Sequence, residues 1–599
     1  MKSKVLLVSP PFAQLEIPSI QISLLQTFLK ENGFESVDTL HLYLFFADFV
    51  GIEAYHFFSK VPFVGEMFYV PFLNPKHARE KKHLIDQWIQ KRAIEEIGQE
   101  VVIEEILEKI EKFHDWLFKN IDFSCYDLIG FTINFSQLIP ALYLSREIKR
   151  RWPDKKIILG GSSVTGEVGL KILEIFKEID FIISGEGEIP LLQFVNNFDT
   201  GNITNIAGLM YRIKDGVRYN RERYDFDMTQ LPVCDYDQYF EQVKKCSSVL
   251  QKYVLYHQKI PVEFSRGCWW RRCTFCNLNL VHSYYKSKSI DQFVKEIKVL
   301  SDKYKKLDFI FLDNAPHPKY YRKFIDEVGK LGIDVHFTME MKVNLLSKED
   351  YQALYNAGWR TLQLGVESLS TRLLKKMNKG CRAIQNIEDI KHCQEIGIEP
   401  VYNLIHSMPN EDSKDLEETF EAISFIKHLC PPSGLPTFSL GYLCPIYNNY
   451  SEYNIKYIKP HYELTLMFPE EDIKKMIPYR YDFVREKERD YDINEFYDRI
   501  FKWIESHKKE DKPTLTYRDG GTFIVITDAR TKPAKKITLD KNARDIYLYC
   551  DSIKSLKNIE NHFKDIDPDE IKDVLNQFVN YKLMYREDNY YLSLALKES

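Results

Sequence analysis

Short apolar runs alternate with amphipathic stretches along the first 200 residues. Lys4–Ser9 is a compact apolar run stopped by Pro10-Pro11, and Ser19–Asn32 carries apolar residues at helical spacing as far as Gly33. Tyr126–Thr132, Lys156–Leu159 and Asp180–Ser184 repeat the strand pattern, with a helix predicted over Ser136–Arg151. The last two strands run into glycine turns, Gly160-Gly161-Ser162-Ser163 and Gly185-Glu186-Gly187-Glu188. Strand, glycine turn and helix in repetition predict a doubly wound parallel sheet over residues 1–200, with ligands expected at the carboxyl ends of the strands. Residues from about 45 to 120 break the rhythm. They are aromatic at first, then charged and helical from Lys76 to Phe118, and read as an insertion.

Residues 201–255 read as a connector of short hairpin-like pieces. A second series follows over residues 256–445, with strands predicted at Pro261–Ser265, Asp308–Leu312, Val335–Met339, Thr361–Val366, Pro400–Ile405 and Thr437–Tyr442. Amphipathic helices fill the gaps, among them Ile290–Tyr304, Lys348–Ala357 and Leu416–His428. Six such steps predict a (β/α)6 partial barrel, whose chemistry belongs at the C-terminal ends of its strands. Residues 446–512 read as a Tyr- and charge-rich helical region. In residues 513–599, short strands precede three helices (Ala543–Cys550, Ile553–Phe563, Pro568–Tyr581) and a closing strand, a small winged-helix-like α+β module. The fold class is therefore α/β and multidomain.

Composition narrows the setting. A chain of 599 residues exceeds what one hydrophobic core serves. The net charge of −5 gives no chain-wide attraction to nucleic acid or anionic membrane. No apolar run approaches the roughly 20 residues of a membrane span, and the run Val5–Val8 is too short for a secretory signal. The expectation is a cytoplasmic protein with neither a nucleic acid nor a membrane as partner. In a reducing compartment its 11 cysteines serve as metal ligands or buried thiols before disulfides.

Three cysteines stand apart from the rest. Cys268, Cys273 and Cys276 fall within nine residues, directly after the first predicted barrel strand. Three thiolates so close can converge on one soft metal centre, and a 4Fe–4S cluster held by three cysteines leaves one iron open. The alternative is a structural zinc site with His282 as fourth ligand, in a non-catalytic peptide-binding protein. The other eight cysteines are isolated and read as packing thiols. Polar residues cluster at further strand ends: Asp313-Asn314, Glu340 with Lys342 and Asn344, Gly365-Val366-Glu367-Ser368, and Asn403.

Ser265-Arg266-Gly267-Cys268 with Cys273-Thr274-Phe275-Cys276 resembles the signature of the radical S-adenosylmethionine (SAM) superfamily. Four residues separate the first two cysteines where that family usually has three, and its Gly-Gly-Glu after the second strand is replaced by Asp313-Asn314. The resemblance implies a 4Fe–4S cluster on Cys268, Cys273 and Cys276, whose open iron chelates SAM. It also implies SAM contacts from Phe275, Asn314, Glu340, Lys342, Glu367, Ser368 and Asn403.

The N-terminal layout is similar to the Rossmann-like cobalamin-binding domain that precedes many radical SAM domains. That likeness implies cobalamin contacts from Pro10, Pro11, Thr132, Asn134, Gly160, Gly161, Ser162, Gly185, Glu186 and Gly187. The first turn, Ser9 to Gln14, contains no histidine, so no axial ligand to cobalt is expected from it. Across nearly the whole chain, the residues Cys268-Trp269-Trp270, Gly365–Ser368, Met377-x-Lys379-Gly380 and Tyr591–Ala595 resemble radical SAM proteins of ribosomal-peptide maturation. This implies C-methylation of an unactivated carbon in a peptide by a cobalamin-dependent methyltransferase. The C-terminal module would grip a leader peptide, and a flavodoxin or ferredoxin would supply electrons. Epimerisation, cyclisation or rearrangement of a peptide or small natural product is the alternative outcome.

Overall fold

The computed structural model describes residues 3–278, 282 and 284–598. The chain forms two compact units: Met1–Gly267 with Asn277–Ile310 and Ile458–Asp482, and Cys268–Cys276 with Phe311–Tyr457 and Phe483–Ser599.

The first unit is built on a seven-stranded sheet. Its strands are β1 (Val5–Ser9), β2 (Val37–His41), β3 (Leu128–Thr132), β4 (Lys156–Gly160), β5 (Phe181–Ile183), β6 (Leu209–Ile213) and β7 (Gly216–Tyr219), in the order β2-β1-β3-β4-β5-β6-β7. The first five are parallel, and β6 and β7 add antiparallel. All five residues of β1 and of β3 are buried, as a parallel strand covered on both faces requires. The order reverses between β1 and β3, the place where such sheets open a crevice for ligands. One face is covered by the helices Ile20–Glu31 and Glu188–Asn197, whose Ile22, Leu29, Leu191 and Phe194 pack on Val5, Leu7 and Leu128.

Three features depart from the sequence expectations. Strand β2 was not foreseen, because Asp38, Thr39 and His41 dilute its apolar run. The hairpin expected in the connector joins the main sheet as β6 and β7. The insertion is five helices between Leu42 and Asn120, the long charged stretch breaking at Gly98, which adopts φ +74.

The second series begins with β8 (Ile260–Val262), followed by a two-residue ladder of β9 (Ser265–Arg266) with β10 (Lys286–Ser287). It continues through β11 (Asp308–Phe311), β12 (His336–Met341), β13 (Trp359–Leu364) and β14 (Glu399–Val401), giving a five-stranded sheet in the order β14-β13-β12-β11-β8. Its helices start where side chains satisfy free backbone N–H groups: Ser347 and Asp350 form a capping box for Lys348–Asn356, and Asp412 and Asp415 another for Ser413–Ile426. Phe311, Phe324, Phe337 and Trp359 form an aromatic core between sheet and helices.

The sixth barrel strand does not form. Thr437 and Gly434 meet His406 and Asn403 only as isolated bridges, and β15 (Leu440–Gly441) joins a different sheet, in the order β15-β17-β16. Pro431, Pro432 and Pro436 precede this segment, and a proline has no N–H to give a ladder. The partial barrel is thus five-stranded rather than (β/α)6. The region 446–512 is likewise not purely helical: it holds β16 (Ile455–Pro460), β17 (Arg480–Arg485) and one long helix, Ile493–His507. Arg480-Tyr481-Asp482-Phe483-Val484-Arg485 mixes aromatic, aliphatic and charged residues in a β-prone run.

The C-terminal module carries β18 (Leu515–Asp519), β19 (Ile524–Asp528) and β20 (Lys535–Leu539), then the helices Lys541–Tyr549, Leu556–His562 and Pro568–Asn580. Between and after the helices come β21 (Lys554–Ser555), β22 (Met584–Glu587), β23 (Tyr590–Ser593) and β24 (Leu596–Lys597), with one sheet in the order β21-β23-β22. Within the second unit this module is bolted to the barrel helices by charge. Asp551 takes Lys391, whose side chain is 0% exposed, at 2.6 Å and Lys348 at 2.7 Å. Glu587 accepts hydrogen bonds from Thr371 Oγ1, Arg382 Nε and the Ile384 N–H. His428 Nε2 lies 2.8 Å from the carbonyl oxygen of Leu594. No helix among the described residues is long and apolar enough to cross a membrane.

Candidate functional site

The cysteine loop leaves β9 through Gly267, whose φ of +79 makes the turn and whose missing Cβ would lie 2.9 Å from the Tyr284 carbonyl oxygen. Beyond it, Cys268 forms an isolated bridge with Ala315, just past the end of β11. The loop is then fastened to the turn that follows the helix Thr371–Lys376. Thr274 donates its N–H to the Met377 carbonyl at 3.0 Å and its hydroxyl to the Lys376 carbonyl at 3.2 Å. Trp270 Nε1 donates to the Asn378 carbonyl at 3.1 Å.

Gly380 provides the slot for Trp270. A Cβ there would fall 2.1 Å from the indole ring, and its φ of +70 disfavours any side chain. Lys342 and Arg272 each place a cation over the same ring, at 4.6 Å and 5.1 Å from its centroid. The Met377–Gly380 turn, read from sequence as a helix end, is therefore the seat of the cysteine loop. Gly380→Ala is expected to unseat Trp270 and destabilise the protein by about 1 kcal/mol or more. Tryptophan fluorescence and the denaturation midpoint report both effects, and unchanged emission would count against the slot.

Two cations serve the thiols. Lys379 is buried and ion-paired with Glu367 at 2.7 Å. Gly365 makes room for it, since a Cβ there would lie 2.8 Å from Lys379 Nζ. Burial pushes the Cys273 thiol up; Lys379 and Lys342 pull it down, while Glu367 and Cys268 add to the rise. The Cys273 thiol therefore lies within electrostatic reach of Cys268, Lys342, Lys379 and Glu367. Cys381, read from sequence as a packing thiol, joins this neighbourhood beside Lys342 and Lys379, its own thiol pushed up to about 11 chiefly by burial.

The expected SAM residues all lie in the second unit and are held in different ways. Phe275 and Asn314 are half-buried, in the cysteine loop and after β11. Glu340, at the end of β12, has its carboxyl raised to about 7 by burial and by Glu367, with Lys379 pulling down. Glu367 holds a φ of +59 and bridges Leu404. Asn403 is exposed on the strand continuing from β14, and its Oδ1 would lie 2.6 Å from a Cβ at Gly434. Ser368 is engaged locally, its hydroxyl accepting the Ser370 N–H and its carbonyl accepting Asn386 Nδ2. Lys379, Trp270 and Gly380 are the members that reading by strand ends passed over. Their signal was the Met-x-Lys-Gly string itself.

The raised Glu340 carboxyl gives a pH prediction. The folded state holds its proton up to about pH 7, whereas the unfolded chain releases it near the ordinary carboxylate range. This group therefore lowers stability progressively as pH rises between those values, with no further change above. Glu340→Gln is expected to flatten that part of the profile, measured as urea midpoints at pH 5 and pH 8. An identical slope in both proteins would refute it.

The residues fit an iron–sulfur cluster. Among the described residues, no three His, Cys, Asp or Glu side chains converge closely enough to share a single metal ion. Thiolates of a cube bind different irons and stand farther apart. Trp269, next to Cys268, has a buried indole N–H with no acceptor among the described residues, and its ring lies 5.4 Å from His317. A sulfur-rich cluster offers such a donor an acceptor. His282, the fourth ligand of the zinc alternative, faces Glu186 with Nδ1 3.7 Å from Oε1.

In the first unit, the ends of β1, β3 and β4 are tied into one polar network. Gln137 donates to the Pro10 carbonyl at 2.8 Å and accepts the Asn134 N–H. Asn134 donates to Thr132 Oγ1 and accepts both the N–H and the hydroxyl of Ser162. Gly161, at φ +112, lets its loop pass within 2.5 Å of the Ile133 carbonyl, measured at a would-be Cβ. Pro11 is buried and Gly160 ends β4. Gly185, at φ +93, stands clear of neighbours, whereas Gly187 packs against Leu25. Glu186 is differently employed. Arg266 reaches it at 2.9 Å and Lys286 at 2.5 Å, while Arg266 also holds Glu188 and Glu263. Burial opposes the charge of Arg266, and Glu188 and Glu263 outweigh that and hold its guanidinium above the ordinary value.

With this geometry in place, residues 262–423 match the radical SAM superfamily. The chain is 24% identical over 344 residues to an uncharacterized methyltransferase of Pyrococcus horikoshii, covering 56% of this chain and 70% of that one. Two solved structures share the fold. The radical SAM methyltransferase TsrM from Kitasatospora setae, with tryptophan and a SAM analogue bound, gives a TM-score of 0.54 at 15% identity over 87% of this chain and 92% of that one. The cobalamin-dependent radical enzyme OxsB, with aqua-cobalamin and SAM bound, gives 0.51 at 16% identity over 97% and 71%.

Proposed function

We propose, from the premise that this chain carries a radical SAM domain at residues 262–423, that it cleaves SAM reductively and methylates an unactivated carbon with the help of cobalamin. The observation that carries this reading is the cysteine loop. Cys268, Cys273 and Cys276 sit beyond a barrel strand in a loop pinned by Trp270 and Thr274, with Lys342 and Lys379 near the Cys273 thiol.

When bound, a 4Fe–4S cluster supplies the electron that breaks a carbon–sulfur bond of SAM, and cobalamin supplies a methyl carrier. The protein's own part is positioning and charge. Cys268, Cys273 and Cys276 would hold three irons, and Lys342 and Lys379 favour the thiolate forms that ligation needs. Glu340, Glu367, Asn314 and Asn403 offer carboxylates and amides to the amino, carboxylate and ribose groups of SAM, and Phe275 offers a ring to adenine. For cobalamin, the network of Pro10, Thr132, Asn134 and Ser162 presents carbonyl, amide and hydroxyl groups to an amide-rich ligand. The open turn at Gly185 admits close backbone approach. Glu186 contributes through Arg266 instead, by holding the strand that leads into Cys268.

The peptide substrate belongs to the same proposal. Three helices, a strand after the first and a hairpin after the third make the segment from Lys541 to Ser593 a winged-helix module, in our reading. Its sheet edges suit a leader peptide added as a strand. Electrons would come from a flavodoxin or ferredoxin.

The test is an anaerobic assay with reductant, SAM, cobalamin and candidate peptides. Equal amounts of 5′-deoxyadenosine, S-adenosylhomocysteine and methylated product are expected. 5′-Deoxyadenosine with turnover of the peptide but no S-adenosylhomocysteine would overturn methyl transfer in favour of epimerisation, cyclisation or rearrangement.

A further inference from the structure

A second cavity lies wholly within the first unit, outside the residues assigned above to SAM and cobalamin. It encloses about 280 Å³ beside the ends of β3 and β4. Phe63, Ile139, Ile172, Met467 and Phe468 give it apolar walls, and Lys60, Glu66, His461 and Arg480 are among its ionisable lining side chains.

Arg480 is the anomaly. Other enclosed arginines have partners: Arg266 holds Glu186, Glu188 and Glu263, Arg530 holds Asp528, Arg544 holds Asp519, and Arg212 and Arg485 donate to backbone carbonyls. Arg480, half-buried in β17, has no carboxylate partner among the described residues, and burial pulls its guanidinium below the ordinary value. A desolvated guanidinium without a counter-ion costs free energy that an incoming anion would recover. Glu66 is not that counter-ion. Its Oε1 accepts the N–H groups of Leu138 and Ile139, which begin the helix Leu138–Arg151. At the cavity's edge, Phe135 stands 66% exposed in the left-handed region, with φ +45. A large apolar ring held outward in a disfavoured conformation makes sense as part of a ligand's wall.

We propose that this cavity binds a small apolar carboxylate, of the size of one ring or a short acyl chain, its body among the apolar walls and its carboxylate on Arg480. Planar, bidentate pairing with guanidinium favours a carboxylate over a neutral head. The site is separate from methyl transfer and stands whether or not that reading holds.

The probes are 3-phenylpropionate and octanoate against their amides, titrated calorimetrically into the full-length chain. The acids are expected to bind at least about tenfold more tightly than the amides, as a charge-assisted pair warrants. Arg480→Gln should erase that preference while the melting temperature holds, and Ile172→Trp should abolish binding by filling the cavity. Equal binding of acid and amide, no binding of either, or an unchanged preference in Arg480→Gln would overturn the proposal. So would loss of hydroxocobalamin uptake in Arg480→Gln, because the cavity would then be part of the cobalamin site.

Discussion

In chains carrying Cys268→Ala, Cys273→Ala or Cys276→Ala, anaerobic iron incorporation is expected to collapse from about four atoms per chain, and SAM cleavage with it. The expectation follows from the loop's construction. In the proposed cluster each thiolate would hold a different iron, and removing one would leave two protein ligands. Cys393, 0% exposed in the helix Ala383–Ile396, provides the control. Cys393→Ala should keep its iron while losing some packing. Cys381 is the more searching control, because it lies beside Lys342 and Lys379. Cys381→Ala should also retain the brown colour and broad absorbance of the cluster. Full iron content in any of the three loop variants would sink the ligand assignment, and loss of iron in Cys381→Ala would enlarge it.

Arg266→Leu is expected to be the most damaging single change to stability, about 3–5 kcal/mol at neutral pH. It strips the guanidinium from Glu186, Glu188 and Glu263 together, leaving Glu186 with Lys286 and the more distant His282. The sign of the pH dependence is diagnostic. Burial pushes the Glu263 carboxyl up, but Arg266 outweighs it and holds the group below its ordinary value. In the natural chain, that contribution is full above the ordinary carboxylate range and fades as pH falls through the depressed value. In Arg266→Leu the largest lowering influence on Glu263 is gone and burial is opposed only by the more distant Lys288 and His282, so that carboxyl rises and the variant loses stability as pH climbs. The deficit should therefore be large at pH 7.5 and shrink towards pH 4.5, read from urea midpoints. A deficit of equal size at both would assign the damage to lost packing alone.

Much of this was legible because the relevant signals are local. Apolar runs ending in Gly160-Gly161 and Gly185-Glu186-Gly187 announce strands and their turns, and three cysteines in nine residues announce a metal-binding loop. The helices of the C-terminal module lie within a few residues of their expected limits because each opens on a capping Asp or Ser, at Asp540, Ser555 and Asp567. What escaped depends on tertiary partners. Strand β2 has few apolar residues and is defined by β1 beside it. The sixth barrel strand fits the strand pattern well, but it meets its neighbour only through isolated bridges before turning into a different sheet. Glu186 has the look of a ligand-side acid in a glycine turn, yet Arg266, 80 residues later, claims it. Gly380 reads as a helix stop, and only the fold reveals that Trp270 fills the space it leaves.

The buried pairing of Lys391 with Asp551 bears on how such a protein can be divided or recombined. A truncation before Thr514 would strand Lys391 without its carboxylate partner, leave Lys348 with Glu395 alone, and uncover the Ile384 N–H at the start of the helix Ala383–Ile396. A different module joined here would therefore need an acid at position 551 for Lys391 and one at position 587 for Arg382 and the Ile384 N–H. Substrate preference, wherever it resides, cannot drift through free swapping of tails.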